Sequence, residues 1–493
     1  MSGPTHRLPA LARALDAPPE VPGVRSASDL DGLARRSVGQ LDLLGTSVAV
    51  VAPTASALIS PFLMLRVVGP GAWLSAVIGF TMAFLLVSTF SQFSQRVAAS
   101  GSMYTWVTRS VGTRAGILVA AALLLGYGTL VTFGISQTVR HTAEASASAG
   151  AGTPSVPAQA LLAVVVTAVC VAASVRGIGV ATRIALAAEV LLVLALLVLV
   201  AVAMSRNGLS LGTLLSLDGA DPLRVLLGAS FIMSITVGLE VAASLAAEAR
   251  RPFLGVPRAM GGTVAISAGL FALAYVAMHG IVVTEGPLTG PVRRWFPSAV
   301  DVGAAEAVLG SLLALSYFAL ALCALNALAR IVLSLAREGL LPSALGRTHR
   351  TWRSPYAALL AIAPFALLPP VCSALAGERI GVFTGRLLGS AVLVLAVAYV
   401  VVALAVPVFL ARLDELTWRP VAVAVAAALL TATVASVRVV DDLRQGAWLA
   451  SAVTVAALAG AVLWHRWLQS HRRPALARMG IHDETIASDL LGQ

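Results

Sequence analysis

The sequence predicts an all-α membrane protein of about twelve transmembrane helices, the first and sixth of them discontinuous. Three observations carry that expectation. Of the 493 residues, 58% are hydrophobic and 12% charged, with mean hydropathy +0.90, whereas soluble domains are roughly a quarter charged. Apolar runs of about 20 residues, one bilayer crossing each, recur near residues 43–66, 72–94, 115–138, 156–175, 181–204, 223–247, 261–283, 303–335, 355–375, 385–410, 419–437 and 446–468. Two of these runs, five spans apart, carry helix-breaking residues at mid-depth, as an inverted repeat of spans 1–5 and 6–10 would.

The organisation follows in chain order. Residues 1–38 are polar and proline-bearing without helical periodicity, and read as a disordered N-terminus. Residues 39–210 hold the first repeat, 211–412 the second, 413–469 two peripheral spans that offer a homodimer surface, and 470–493 a loose polar tail. The first apolar run begins too late for a cleavable signal peptide. All 34 basic residues are arginine and lysine is absent. This Arg-, Ala- and Val-rich composition suits a GC-rich bacterial genome. The arginines disperse over loops, which excludes a nucleic-acid patch. Arg35, Arg36, Arg96, Arg109, Arg176, Arg250, Arg337 and Arg350 fall on alternate loops with the termini. Short cytoplasmic loops hold such an excess, so both ends are expected inside the cytoplasmic membrane. Cys170, Cys323 and Cys372 lie in apolar spans, a packing role rather than a disulfide framework.

The first break reads Ala52-Pro53-Thr54-Ala55-Ser56-Ala57. Proline removes an amide donor and clashes with the preceding turn, while small residues let a solute approach the backbone. The half-helix that begins there offers amides and a positive dipole end to a carboxylate. The second break reads Thr236-Val237-Gly238-Leu239-Glu240. A carboxylate at mid-membrane needs protein groups, water or a ligand. Freed carbonyls beside Gly238 can accept from an ammonium.

Three motifs support a family resemblance. Ala99-Ser100-Gly101-Ser102-Met103-Tyr104-Thr105-Trp106 ends near Gly112; Val237-Gly238-Leu239-Glu240 is followed by Glu248, Pro252 and Pro257-Arg258; and Asn326, Arg330, Ala336-Arg337-Glu338-Gly339 and Leu341-Pro342 close span 8. In this order the chain resembles the amino acid–polyamine–organocation permease superfamily over residues 35–410. The resemblance implies the leucine-transporter fold, a 5+5 inverted repeat with discontinuous helices 1 and 6. It also implies a substrate site between spans 1, 3, 6, 8 and 10, and secondary active transport by alternating access.

On that basis the expected substrate-binding residues are Pro53, Thr54, Ala55, Ser56, Ala57, Tyr127, Ser234, Thr236, Val237, Gly238, Glu240, Ser316 and Tyr317. Relatives often carry Gly-Ser-Gly where this chain has Ala55-Ser56-Ala57, and an aromatic gate where it has Ser234, Ile235 and Thr236. Some relatives place a coupling lysine in span 5. With no lysine here, Glu189 is the candidate proton carrier, and Glu240 either senses the ion or braces the unwound segment. Arg250, Arg251, Arg258 and Arg337 are gate candidates on the cytoplasmic side, with topology determination as the plainer reading. Asn326 and Tyr399 are polar groups that line the pocket or bond between helices, and His279 is expected at the outer interface.

No residues have metal-ligand spacing and no glycine loop could cradle a phosphate, so no cofactor and no enzymatic activity is expected. The partners are a small solute (an amino acid or amine), the bilayer, and a proton or Na+. A same-fold transporter of another organic cation or a carboxylate, and a solute sensor that binds without transport, stay open as alternatives.

Overall fold

The computed structural model describes residues 32–207, 214–285, 302–376 and 382–481. Among them, twelve helical segments are long and apolar enough to cross a membrane. Span 1 is two helices, α1 (Gln40–Val51) and α2 (Pro53–Val68), and span 2 is α3 (Ala72–Ser94). The short α4 (Met103–Ser110) leads into span 3, α5 (Thr113–Ser148), followed by spans 4 and 5, α6 (Val156–Val175) and α7 (Ile178–Asn207). Span 6 is α8 (Pro222–Thr236) continued by a 3-10 helix, Val241–Glu248. Spans 7 to 10 are α9 (Pro252–Glu285), α10 (Val302–Arg337), α11 (Tyr356–Leu375) and α12 (Val382–Arg412). Spans 11 and 12 are α13 (Trp418–Arg444) and α14 (Leu449–His471), and α15 (Arg473–Ala477) follows.

Burial ranks the spans by position. In spans 1 and 6, 78% of the apolar window lies inside protein, against 28% and 22% in spans 11 and 12. The discontinuous helices are therefore central and the last two peripheral. Spans 3 and 8 form the most extensive helix pair. Small residues permit that contact, since membrane helices associate by close packing rather than by expulsion of water. Some spans run longer than the apolar stretches imply. Span 3 continues to Ser148 because its last turns are stabilised by polar pairs, including Arg140 to Glu144 at 2.8 Å. Span 7 begins at Pro252, a residue suited to a first helical turn, rather than near 261.

Two terminal expectations need correction. The N-terminal stretch expected to be disordered reaches residue 38, yet Leu33 and Val38 are buried. Val38 N–H donates to the Glu248 carbonyl at 3.0 Å, and its own carbonyl accepts from Arg250 N–H at 2.9 Å. That parallel pairing gives a short polar segment the order its composition does not supply. At the other end, the expected loose tail from 470 is ordered through Ile481, with Ala475 and Met479 buried. Residues 1–31 and 482–493 lie outside the described residues.

The tail is seated on Glu338, just past the end of α10. Its Oε1 accepts from Gly480 N–H at 2.8 Å and Ile481 N–H at 2.9 Å. Burial nevertheless pushes the Glu338 carboxyl up to about 7 from the ordinary value of 4.5, against the pull of these bonds. The folded value lies above the unfolded one, so the native state holds a proton that the unfolded chain has released between them. Stability from this group is therefore complete below the unfolded value and is lost as pH rises through about 7. The thermal midpoint is expected to climb as pH falls from about 8 to about 5, by the equivalent of up to about 3 kcal/mol. In Glu338→Gln this part of the slope should vanish. An identical pH profile for both proteins in a melting series would refute the assignment.

Candidate functional site

The first break is one residue wide. Ala52 adopts φ 46 and ψ 57, a left-handed conformation that L-residues with a Cβ rarely hold. Its N–H closes α1 on the Val48 carbonyl at 2.8 Å, and Pro53 starts α2 with no N–H to offer. A residue before proline is disfavoured in the right-handed helical region, which accounts for the location of the break. The next amide is already engaged. Thr54 donates to Glu189 Oε1 through its N–H at 3.2 Å and through its hydroxyl at 2.5 Å. Glu189 thus caps the start of α2 from span 5, a carboxylate at the positive end of a helix dipole. Among the described residues, its Oε2 is buried and meets no partner.

The second break is wider. Val237 is extended and Gly238 has φ 90, a conformation that glycine alone adopts at no steric cost. A Cβ at Gly238 would also stand 2.5 Å from Val50 Cγ1, so the two breaks abut at this point. Ser47 of α1 donates to the Leu239 carbonyl at 3.1 Å and joins them a second time. The fully buried Glu240 lies at the centre. Its Oε1 accepts from the Tyr127 hydroxyl of span 3 at 2.9 Å, and its Oε2 from the Tyr399 hydroxyl of span 10 at 2.6 Å. Tyr399 also accepts from Gly238 N–H at 3.1 Å. One tyrosine therefore ties both the side chain and the backbone of the unwound segment to span 10.

The remaining candidates divide. Ser234 and Thr236 turn their hydroxyls back to Ser230 and Ile232 carbonyls on their own helix. Ser316 is buried with its hydroxyl unpartnered among the described residues. Tyr317 stacks on His141 at 5.4 Å and meets Phe133 edge-on, and among the described residues no bond connects it to either break. Ala55 and Ala57 are buried, and Ser56 N–H donates to the Ala52 carbonyl. His279, expected at the outer interface, is buried beside Tyr275 toward the far end of span 7.

Arg250, Arg251 and Arg258 are exposed and Arg337 half-buried, its Nε on the Gly346 carbonyl at 3.4 Å. The buried arginine of this face is Arg330. It forks onto Glu248 with Nε at 2.5 Å from Oε1 and NH2 at 3.2 Å from Oε2. Its NH1 donates to the Asn326 carbonyl, while Asn326 reaches Ser174 of span 4 at 2.8 Å. Sequence reasoning placed Glu248 and Arg330 in motifs without pairing them. A cavity of about 170 Å³ lies beside this pair, lined by Ser37, Gly177, Trp352, Arg353 and Ser354 among others. A larger cavity of about 610 Å³ among spans 3, 8, 9, 10 and 12 has a mainly apolar lining that includes no residue of either break. It lies apart from the polar chemistry. Among the described residues no group of three or more His, Cys, Asp or Glu could hold a metal ion.

These features set the terms for comparison with known proteins. Three uncharacterized transporters, one of Mycobacterium bovis and two from Mycobacterium tuberculosis strains, are each 31% identical over 130 residues. The matched stretch is 24% of this chain and spans only 28% of those relatives. A nucleobase–cation symport-1 family transporter, solved in a closed conformation with bromovinylhydantoin bound, shares the fold at TM-score 0.52 and 16% identity. That match covers 90% of this chain and 97% of the other. Residues 40–458, most of the chain, match the amino acid permease family, and the chain belongs to that family.

Proposed function

We propose that this chain is a secondary active transporter of amino acids or related amines across the cytoplasmic membrane, working by alternating access. The observation that carries the reading is the abutment of two broken helices at Gly238 and Val50, with Glu240 held between spans 3, 6 and 10. Unwound backbone is tolerated at membrane depth only where protein or a solute satisfies it. In the cycle, spans 1, 2, 6 and 7 rock against spans 3, 4, 8 and 9. The Glu248–Arg330 pair joins the moving set to the fixed one, and its separation opens the cytoplasmic side. The arginine excess on the short loops of that face supports assigning it to the cytoplasm.

The test is counterflow of labelled amino acids and amines in proteoliposomes. Saturable exchange of either class, lost in Glu240→Ala, supports transport. Solute-dependent thermal stabilisation without flux would identify a sensor instead.

Coupling is assigned to Glu189. One oxygen caps α2 through Thr54, while the other is free to take a proton. Proton exchange there loosens or restores the hold of span 5 on the start of α2. Glu189→Gln is expected to retain solute binding and lose uptake driven by an imposed pH gradient by roughly tenfold or more, a loss of at least about 1.4 kcal/mol in coupling. Uptake that keeps its full response to the gradient in this variant would remove Glu189 from coupling.

A further inference from the structure

We propose that the C-terminal segment Arg472–Ile481 is a strap that restrains opening of the face it lies on, by holding α4 against the end of span 8. The proposal rests on the alternating-access reading. The strap is built from three contacts. Gly480 has φ 95, which presents two successive N–H groups, its own and that of Ile481, to one Glu338 oxygen. Successive backbone amides in such a turn form an anion-receiving concavity. Arg472 NH1 donates to the Gly339 carbonyl at 3.2 Å. Met479 is buried with its Cε at 3.0 Å from the point a Cβ on Gly116 would occupy, so it fills the space at the start of span 3. Between these anchors the chain crosses α4, where Gly480 comes close to the Thr108 and Arg109 side chains.

The position of α4 gives the strap its leverage. It lies in the connection between span 2, which packs on span 6 at Gly79 and Ile232, and span 3, which packs on span 8 at Gly134 and Ala321. Relative motion of the two sets displaces the ends of this connection. Its ends have the backbone for it: Ser102 before α4 has φ 56 and Gly112 after it φ 113. A few residues at element ends that change φ and ψ are what a hinge requires. α4 is also incompletely satisfied where it lies. Trp106 Nε1, and Ser100 Oγ in the loop before it, are buried without a partner among the described residues. Such groups carry a desolvation cost that another arrangement can relieve. An element with that cost, between two hinges, stays in place because something holds it, and the strap lies across it.

The test is hydrogen exchange of the full-length protein in two variants that act from opposite sides of the contact. Gly480→Pro removes one donor and cannot adopt φ 95. Glu338→Ala removes the acceptor and leaves the strap sequence intact. Both are expected to speed exchange in α4 by at least tenfold relative to span 11, and in Val241–Glu248 severalfold. Faster exchange confined to Arg472–Ile481 would overturn the proposal, because the segment would then be a passive appendage. Acceleration of α4 no greater than that of span 11 would overturn it equally. Neither outcome depends on a solute, so transport can fail as a reading without deciding this one, and the reverse.

Discussion

Arg330→Ala is expected to destabilise the protein by about 3–5 kcal/mol, the range for removing one partner of a buried ion pair. Arg330 and Glu248 are exposed over only 2% and 3% of their side chains. The truncation leaves the Glu248 carboxylate buried without the guanidinium that forks onto it. It also removes the NH1 bond to Asn326, the residue that ties span 8 to span 4. Arg330→Lys should recover little, since an ammonium cannot reproduce the two-pronged contact with both carboxylate oxygens. The double variant Arg330→Ala with Glu248→Ala should recover most of the loss, because two apolar groups replace an orphaned charge. Thermal unfolding of the purified protein in detergent reads all three. A single variant within about 1 kcal/mol of wild type would mean that the pair is screened by water in solution. The same double variant separates stability from gating. If the pair joins the moving and fixed sets, the doubly substituted protein is stable yet favours the conformation open on this face.

How much of this was legible beforehand depends on whether the cause is local. Pro53 and Gly238 announce breaks because proline lacks an amide and glycine takes a positive φ, properties of one residue and its neighbours. The apolar runs announce spans for the same reason. Glu240 could be flagged because a carboxylate in such a run is costly whatever surrounds it. What surrounds it could not be read. Tyr127 and Tyr399 stand 113 and 159 residues away along the chain, and their spans are apolar on nearly every face, so periodicity does not show which way a helix is turned. The sequence offers Tyr127 as a substrate-binding candidate and Tyr399 as a general pocket or bonding group, and nothing in it shows that they share one partner. Glu189 to Thr54 is another long-range contact of this kind. The buried arginine of this face is harder to read than the exposed ones. Arg250, Arg251 and Arg258 are the conspicuous cluster, but a cluster in a loop is what topology alone requires, whereas Arg330 sits inside an apolar run. An arginine in that position needs a carboxylate, and Glu248 was the available partner in the preceding motif. The order of the tail is hard to read because the ten residues Arg472–Ile481 are too few to show a periodicity of their own. Their order comes from the seat at Glu338.

Gly134→Leu is expected to cost more than about 3 kcal/mol, beyond the usual range for overpacking, because the group it would strike is backbone. A Cβ at this position would stand 2.9 Å from the Ala321 amide nitrogen, 2.9 Å from the Tyr317 carbonyl oxygen and 2.8 Å from Ala321 Cβ. Side chains can swing away from an added methyl, but two helical backbones cannot without moving apart along their length. Gly126 on the same helix makes an instructive comparison. A Cβ there would meet Leu395 Cγ at 2.6 Å and its methyls at 2.7 and 2.9 Å, all parts of one side chain that has other rotamers. Gly126→Ala should therefore be tolerated better than Gly134→Ala, although its nearest contact is shorter. Spans 3 and 8 also carry Tyr127 and Arg330, so separating them at Gly134 disturbs both the Glu240 bracing and the Glu248 pair. The expected signature in melting and hydrogen-exchange measurements is a lowered midpoint for Gly134→Leu with loss of protection in spans 3 and 8 together. Loss confined to the turn around Gly134 would show that this helix pair does not act as one rigid body, and the fixed half of the proposed cycle would lose its physical basis.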